Sequence, residues 1–416
     1  MSLSFGVRLI AGGAFAAFAS LAAAQQTVKI AYIDPLSGAF ANVGEQGLKH
    51  FQAVIEDINK RNLTGGPKLE VIGFDNKVSP QESLNMLKKV IDSGIRFVTQ
   101  GNGSSVALAL SDAISKHNER NPNQSIVYLN YAAVDPDLTN SKCSFWHFRF
   151  DANSDMKMEA LTNELAKDKN IKRVYLINQN YSFGQAVARA AKEMLARKRP
   201  DIQVVGEDLH PLGQVKDFAP YIAKIKQSNA DTVITGNWGN DMSLLIKAGH
   251  DAGLGVTYYT YYAGGLGGAS AMGDAAENRV KQMTEWHSNL PLAGAQRWTE
   301  DFKKRYNYDF YYYRVNTSMY MLAEAIKRAK SSDPLAVARA LSGMKFTTEI
   351  GEVEMRGTDH QLIQPLYIST LVKSAAKGGP KEVRFDVDNS GLGFRTDAKI
   401  DAFVSAQPTS CAMKKL

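Results

Sequence analysis

Cysteine is scarce in this sequence, which has two among its 416 residues, Cys143 and Cys411. Their wide separation excludes a metal site of the CxxC type, whose ligands stand a few residues apart. An even number permits one disulfide. We predict a Cys143–Cys411 bridge that ties the C-terminal tail to the middle of the chain. The alternative is two unpaired thiols, one of them on a frayed tail.

The common signatures of catalysis and cofactor binding are also missing. The sequence has no G-x-S-x-G elbow, no Walker phosphate loop and no H-E-x-x-H metal motif. The glycine-rich run at 264–268 lacks the spacing and context of a dinucleotide-binding loop. The seven histidines are dispersed, with no pair at metal-ligand spacing. We therefore expect no enzyme, cofactor or metal site, although a nucleophile–base pair assembled from distant segments stays open.

No stretch is long enough to cross a membrane, and the one short apolar run lies near the start. Arg8 is the only charge before the run 9–18, and small residues follow at 20–24. A basic start, a short apolar middle and an A-x-A end are typical of a signal peptide, and the run falls short of the about 20 residues that span a bilayer. We predict a signal peptide over residues 1–24 and a soluble exported protein. The alternative is an N-terminal helix of the fold.

A clustered basic patch is absent too, although the formal charge is +7 and the pI about 9.1. The lysines and arginines are scattered on what the pattern predicts to be outward helix faces, and no patch alternates with aromatic residues. Nucleic-acid recognition depends on such a patch. The excess charge therefore indicates a solvated surface and no nucleic-acid partner.

Strand-like and helix-like segments alternate along the rest of the chain. The pattern begins with an alternating apolar strand at 27–33 and restarts near residue 155. Ser79, before Pro80, and Asp333, before Pro334, predict the N-caps of two of the helices. Regular strand–helix alternation is typical of parallel sheets covered by helices on both faces. Two such runs predict an α/β protein with two doubly wound lobes. Past residue 294 there are too few strands for a third lobe, so we expect this part to complete the other two.

A candidate anion site follows the third predicted strand, at 97–99. The segment Gln100-Gly101-Asn102-Gly103-Ser104-Ser105 lets the backbone turn and then begins a helix. The first turn of a helix has free N–H groups and a partial positive charge, and two serine hydroxyls lie there as well. A ligand carboxylate fits such a place without an arginine. The alternative is an ordinary helix cap beside a tight turn.

Other loops at strand ends should face the same crevice, because ligands of open α/β sheets sit at the carboxyl ends of the strands. In the first lobe these loops are 37–44, with Phe40, and 130–139, with Ala132, Ala133 and Val134. Loops of the second lobe carry aromatic rings that can line a closing cleft; we expect Tyr258 and Tyr259 to lie in the core instead. The second-lobe candidates are Tyr181, Phe183, Trp238, Tyr262 and, beside them, Gly264.

Taken together, these motifs resemble the periplasmic leucine/isoleucine/valine-binding protein family, the type I solute-binding proteins of ABC importers. The similarity spans nearly the whole mature chain and rests on the order and spacing of its motifs rather than on any one of them. The motifs include Ile30-Ala31-Tyr32-Ile33-Asp34-Pro35-Leu36-Ser37-Gly38, Gly103-Ser104-Ser105, Asp135-Pro136-Asp137-Leu138-Thr139, Tyr181-Ser182-Phe183-Gly184 and Gly273-Asp274-Ala275-Ala276-Glu277.

The resemblance implies two lobes joined by three hinge crossings, with a ligand in the cleft between them. It places residues 25–149 and 287–364 in the N-terminal lobe, and 150–286 and 365–416 in the C-terminal lobe. It also implies a periplasmic monomer that closes around a small carboxylate ligand of the branched-chain amino acid type and is then recognised by an ABC permease of the inner membrane. A ligand sensor of the same fold is the alternative from another functional class.

The family's ligand contacts fall on specific positions of this chain. Ser104 and Ser105 look like its carboxylate site, Ala132 and Val134 fall where it holds the ligand ammonium, and Phe183 and Trp238 where it uses aromatic residues. The resemblance adds the neighbouring positions to the predicted ligand-binding set, which is Phe40, Asn102, Gly103, Ser104, Ser105, Ala132, Ala133, Val134, Tyr181, Phe183, Trp238, Tyr262 and Gly264.

Two departures from the family bear on the ligand. Amino-acid binders of the family have a threonine at the position of Val134 and a glutamate near 263–264, and both groups are missing here. A buried ammonium without an acceptor or counter-charge would be costly. Either Asp135, Asn237 or Asp241 receives it, or the ligand is an aromatic or aliphatic acid without an α-amino group.

Overall fold

A computed structural model describes residues 1, 27–265, 267–414 and 416. The predicted signal peptide lies outside these residues, apart from Met1. Within the described ranges, no helix combines the length and the apolar character that a bilayer crossing requires.

Five parallel strands form the sheet of the first lobe. They are β1 (Thr27–Asp34), β2 (Lys68–Asp75), β3 (Phe97–Gln100), β4 (Val127–Asn130) and β5 (His147–Arg149), in the order β2-β1-β3-β4-β5. The helices between them are α1 (Ala41–Lys60), α2 (Pro80–Asp92) and α3 (Ser104–Arg120). Every residue of β3 and β4 is buried, as expected for a parallel sheet covered on both faces. The predicted cap of α2 is confirmed, because Ser79 Oγ accepts the N–H of Glu82 at 3.3 Å.

The second lobe repeats this alternation. Its helices are α4 (Ser154–Leu165), α5 (Ser182–Lys198), α6 (Ala219–Gln227), α7 (Asn240–Asp251) and α8 (Gly268–Met272). Its parallel strands are β6 (Arg173–Gln179), β7 (Gln203–His210), β8 (Thr232–Thr235), β9 (Thr257–Thr260) and β10 (Val280–Thr284). Tyr258 and Tyr259 are buried in this sheet, 2% and 6% exposed, as the sequence predicted.

The last part of the chain completes both lobes. Helices α9 (Ala293–Tyr306), α10 (Tyr313–Ala329) and α11 (Pro334–Leu341) come first, and α10 packs on α1 of the first lobe. A small antiparallel sheet follows, made of β11 (Lys345–Thr348), β12 (Gly351–Met355) and β13 (Leu362–Ile363). Then β14 (Leu366–Lys373) and β15 (Leu392–Ile400) add antiparallel strands to the second sheet, whose order is β15-β14-β10-β9-β8-β6-β7. The short helix α12 (Ala402–Ser405) ends the regular structure.

The chain passes between the two sheets after β5, after β10 and before β14. The first and third of these passages lie side by side: Arg149 N donates to His360 O at 2.9 Å, and Gln361 Nε2 donates to Asp151 O at 2.8 Å. Gln364 Nε2 adds a bond to Phe150 O at 3.1 Å. The hinge is therefore a bonded pair of strand-like segments rather than loose linkers, while the domain limits given above stay a prediction.

The predicted disulfide between Cys143 and Cys411 is present, with a Cα–Cα distance of 5.7 Å. It fixes the segment after α12 to the loop that precedes β5. Two hydrogen bonds support it: Thr409 Oγ1 donates to Thr139 O at 2.6 Å, and Ser410 N donates to Asn140 Oδ1 at 2.9 Å. The C-terminal tail thus returns to elements of the first lobe.

Candidate ligand-binding site

A cavity lies between the carboxyl ends of the strands of the two sheets. The space between its walls, counted together with the solvent at its open side, is about 750 Å³. Loops of both lobes form the wall. A molecule held there would contact both lobes at once, as closure around a ligand requires.

The N-terminus of α3 forms the first-lobe side of the wall. Gly103 precedes the helix with a φ of +95°, a conformation that side chains disfavour. Ser104, the first helical residue, is 2% exposed, and its Oγ accepts the N–H of Asp135 at 3.2 Å. The N–H groups of this first turn have no carbonyl partner within the helix. Free N–H groups at the start of a helix can hold an anion, and these lie at the cavity wall.

Two buried side chains fix the loops around that helix end. Asp34, at the end of β1, accepts the N–H groups of Gly101 and Asn102 at 3.1 and 2.9 Å. Burial raises the pKa of Asp34 to about 7, although these N–H groups and the Tyr131 hydroxyl lower it. Asn130, at the end of β4, accepts the N–H of Ala133 at 2.8 Å and donates to its carbonyl at 2.8 Å. Backbone shape at the cavity thus depends on residues that do not line it.

Aromatic rings form the second-lobe side. The indole N–H of Trp238 donates to the hydroxyl of Tyr181 at 2.9 Å, and the Tyr181 ring stands edge-on to Phe183 at 5.9 Å. Trp238 also packs on Phe40 of the first lobe, with ring centroids 4.3 Å apart. The two lobes are therefore in contact through this pair of rings.

A glycine-rich segment closes one side of the site. Gly264 N donates to Gln282 Oε1 at 2.8 Å, and Gly267 N donates to Asp388 Oδ2 at 2.7 Å. A Cβ on Gly264 would lie 2.6 Å from both Gln282 Oε1 and Phe394 Cε2. A side chain at position 264 would therefore require Gln282 or Phe394 to move.

A cluster of four charged side chains lies below the cavity, at the hinge. Asp151 follows β5 and Glu285 follows β10, so each belongs to a passage between the sheets. Arg314 Nη1 donates to both oxygens of Glu285 at 2.9 and 3.0 Å. Lys157 Nζ lies 2.9 and 3.0 Å from the two oxygens of Asp151. All four side chains are at most 1% exposed, and two acids balance two bases.

The tyrosines around this cluster belong to the cavity wall. Tyr262 Oη donates to Asp151 Oδ2 at 3.0 Å and approaches the Ala132 carbonyl at 3.5 Å. Burial works against the charged form of Arg314, but Asp151 and Glu285 hold its pKa above the ordinary value. Burial lowers the pKa of Lys157, and Asp151 opposes that shift. The hinge charges and the ligand cavity thus share one wall.

The structure brings most of the predicted ligand-binding residues together and leaves some apart. Ser105 lines a separate groove with Val78 and Tyr181, Gly264 lines a cavity on the other side of its loop, and Phe40 lies behind Trp238. Whether any of these residues binds a ligand stays a prediction. Those on the cavity wall are Asn102, Gly103, Ser104, Ala132, Ala133, Val134, Tyr181, Phe183, Trp238 and Tyr262.

Several wall residues were not predicted from the sequence. Arg314 is the one charged side chain among the described residues of the wall, and none of them is an aspartate or a glutamate. None of the three proposed ammonium acceptors, Asp135, Asn237 and Asp241, is among the lining residues; Asp241 instead accepts from Gln179 and Gly213, both at 2.8 Å. The wall residues not predicted include Asn42, Met242, Ser243, Tyr311, Tyr312 and Arg314.

Comparison with known proteins finds relatives along nearly the whole chain. The family described as "Periplasmic binding protein" matches residues 27–379. The chain is 32% identical to "Leu/Ile/Val-binding protein homolog 4" of Brucella abortus over 429 aligned positions, which cover 99% of this chain and 100% of that protein.

Two solved structures show the same fold. One is a leucine-, isoleucine-, valine-, threonine- and alanine-binding protein of Brucella ovis in its closed conformation, with a TM-score of 0.80 and 29% identity, covering 94% of this chain and 100% of that one. The other is an ABC transporter solute-binding protein of Rhodopseudomonas palustris with 3,4-dihydroxybenzoic acid, with a TM-score of 0.74 and 20% identity over 90% of this chain and 98% of that one.

Proposed function

Since the chain belongs to the periplasmic binding protein family, we propose that it is the substrate-binding protein of an ABC importer. The signal peptide directs it to the periplasm and is cleaved near Ala24–Gln25. There the monomer captures a small carboxylate by closing its two lobes, and an inner-membrane permease receives the ligand. The observation that carries this proposal is the cavity, walled by the α3 N-terminus of one lobe and by aromatic rings of the other.

The ligand carboxylate binds at the N-terminus of α3 beside Ser104. Free N–H groups and the helix dipole stabilise an anion there, and the neighbouring hydroxyl adds a donor. The hydrocarbon part of the ligand packs between Phe183 and Trp238. Aromatic walls with a few placed polar groups are typical of small-molecule sites.

The charge of the wall favours an acid without an α-amino group over a branched-chain amino acid. Its described residues include no carboxylate, so a ligand ammonium would find no counter-charge on the wall. Burying an unpaired charge costs several kcal/mol. The carbonyl of Ala132 is the acceptor that would remain for the ammonium of an amino acid. Branched-chain amino acids are the alternative ligands, because relatives of this chain are named for leucine, isoleucine and valine.

A thermal-shift experiment with matched pairs of ligands tests this proposal. Leucine is compared with 4-methylpentanoate, and phenylalanine with 3-phenylpropanoate, so that each pair differs by the amino group alone. A ligand of the folded state adds about 2.7 kcal/mol of stability at a concentration of 100 times its Kd.

We expect the melting temperature to rise with the acid of at least one pair and to stay unchanged with its amino acid. A rise with the amino acids alone would refute the assignment of an acid without an amino group. No rise with any of the four would refute the carboxylate class. A reaction product formed from a bound acid would refute the binding-protein proposal.

A further inference from the structure

The guanidinium of Arg314 has one edge that the protein does not use. Its Nη1 is occupied by Glu285, but Nε and Nη2 have no hydrogen-bond partner among the described residues, and the side chain is 1% exposed. These two nitrogens form the side edge of the guanidinium, the fork that holds an acceptor with two parallel bonds. Leaving buried donors unpaired is costly, so such an edge indicates a missing acceptor.

The neighbouring Tyr311 presents a second unused donor. Its hydroxyl is buried without a hydrogen-bond partner in the described part of the chain, and it lines the same cavity as Arg314. Burial raises the pKa of Tyr311 well above the ordinary value, so the hydroxyl keeps its proton. The unpaired donors of Arg314 and Tyr311 therefore lie on the same wall of the cavity.

Aromatic rings hold the guanidinium in place. Its central carbon lies 4.8 Å from the ring centroid of Tyr312, 5.7 Å from that of Tyr262 and 5.9 Å from that of Tyr311. Cations are attracted to ring faces at such distances. Together with the bidentate bond to Glu285, these rings fix the direction of the free edge before a ligand arrives.

Asp151 is the carboxylate that lies beside the free edge of Arg314. Its Oδ2 lies 3.6 Å from Arg314 Nε, too far for a hydrogen bond. The same carboxylate is engaged by Lys157 at 2.9 Å and by the Tyr262 hydroxyl at 3.0 Å. Asp151 therefore contributes charge to the site and leaves the donor fork free.

We propose that the free edge of Arg314 and the hydroxyl of Tyr311 bind a second oxygen of the ligand, away from its carboxylate. This inference rests on the proposed function, in which the carboxylate lies at α3. The second oxygen is uncharged, a carbonyl or hydroxyl, because Arg314 and Lys157 are already neutralised by Asp151 and Glu285. A second carboxylate would add an unbalanced negative charge beside Asp151. The substrate class is thus the monocarboxylic acids that carry an oxo or hydroxyl group.

Titration calorimetry with two series of acids tests this class. One series is pentanoate, 4-oxopentanoate and pentanedioate; the other is benzoate, 4-hydroxybenzoate and benzene-1,4-dicarboxylate. In at least one series we expect the oxo or hydroxy acid to bind roughly tenfold more tightly than its parent. This ratio corresponds to the free energy of one hydrogen bond to a charged donor. It should also bind more tightly than the diacid.

Three variants separate a ligand contact from a structural role. Tyr311→Phe removes the hydroxyl alone, and Arg314→Lys keeps the charge but removes the fork. Each should abolish the preference for the oxygenated acid, measured as the ratio of the Kd values of the parent and oxygenated acids for the same variant. Tyr313→Phe is the matched control, because its hydroxyl is also buried and unpaired in the described structure but is not on the cavity wall; this variant should keep the preference.

The outcomes distinguish this inference from the proposed function. Equal affinities for the parent and oxygenated acids would overturn the second oxygen site but not the carboxylate site. A preference that persists in both Tyr311→Phe and Arg314→Lys would do the same. Tighter binding of a diacid than of the oxo or hydroxy acid in its series would overturn the conclusion that the second oxygen is uncharged. No binding by any acid of either series would overturn the proposed function, and this inference with it.

Discussion

The aromatic contact between Phe40 and Trp238 predicts how strongly the lobes prefer the closed arrangement. Phe40 precedes α1 of the first lobe and Trp238 precedes α7 of the second, and their ring centroids are 4.3 Å apart. Phe40 is 7% exposed but does not line the cavity. Its replacement by alanine therefore removes a contact between the lobes without removing one to the ligand.

The size of the effect follows from the pair. An aromatic pair is worth about 0.5–1.5 kcal/mol beyond its buried area. A ligand that binds the closed form has an apparent Kd inversely proportional to the closed fraction. Where the closed form is the minor free state, Phe40→Ala should weaken binding by about two- to thirteenfold.

Two measurements check this expectation. Titration calorimetry with the tightest-binding acid gives the apparent Kd, which should rise where the closed form is the minor free state. Small-angle scattering of the ligand-free protein gives the radius of gyration, which should rise in Phe40→Ala where the closed form is the major free state. The matched control is Tyr221→Ala, because Tyr221 pairs with Phe218 at 5.7 Å inside the second lobe. The control should lower the melting temperature and leave Kd unchanged. An unchanged Kd and radius in a folded Phe40→Ala variant would refute the idea that this pair sets closure.

The remaining predictions concern the carboxylate site, the disulfide and pH. Ser104→Ala should weaken acid binding roughly tenfold, whereas Ser105→Ala, outside the cavity, should not; equal effects would contradict the assignment. Intact mass measured without reductant should lie about 2 Da below the reduced mass, from the Cys143–Cys411 bridge; equal masses would exclude it. Burial lowers the pKa of His50 from 6.5 to about 4, so its share of stability is present above pH 6.5 and lost as pH falls towards 4. That share is about 2 kcal/mol between pH 7 and 5. Urea unfolding should show this loss in the protein and not in His50→Gln, and identical pH dependence would contradict it.

Local patterns were enough to predict the elements that begin and end by short-range rules. The cap of α2 by Ser79 is one case, and Asp333 is another, since its carboxylate accepts the N–H of Ala336 at 3.0 Å at the start of α11. The strand β15 was missed because its buried residues do not alternate: the first three are buried and the middle is largely exposed. The burial pattern of such a strand depends on its neighbours in the sheet, and those neighbours cannot be identified from the local sequence.

The parts of the candidate site that lie in loops at strand ends could be predicted from the sequence. The parts formed where distant segments come together could not. Adjacent residues on a helix point about 100° apart, which explains why Ser104 faces the cavity and Ser105 does not. Arg314 stands after three tyrosines with no motif of its own, and its partners Asp151 and Glu285 come from two separate passages between the sheets. Only the folded chain shows that one edge of its guanidinium is left over.

The disulfide gives this molecule a fourth connection between its halves. Beyond the three passages of the hinge, the chain leaves β15 of the second lobe and is bonded about ten residues later to the first lobe, at Cys143. That connection limits how far the lobes can separate at this end, since an extended chain covers about 3.5 Å per residue. It exists only where thiols are oxidised. Passage out of a reducing compartment would thus add a covalent limit to the separation of the two lobes.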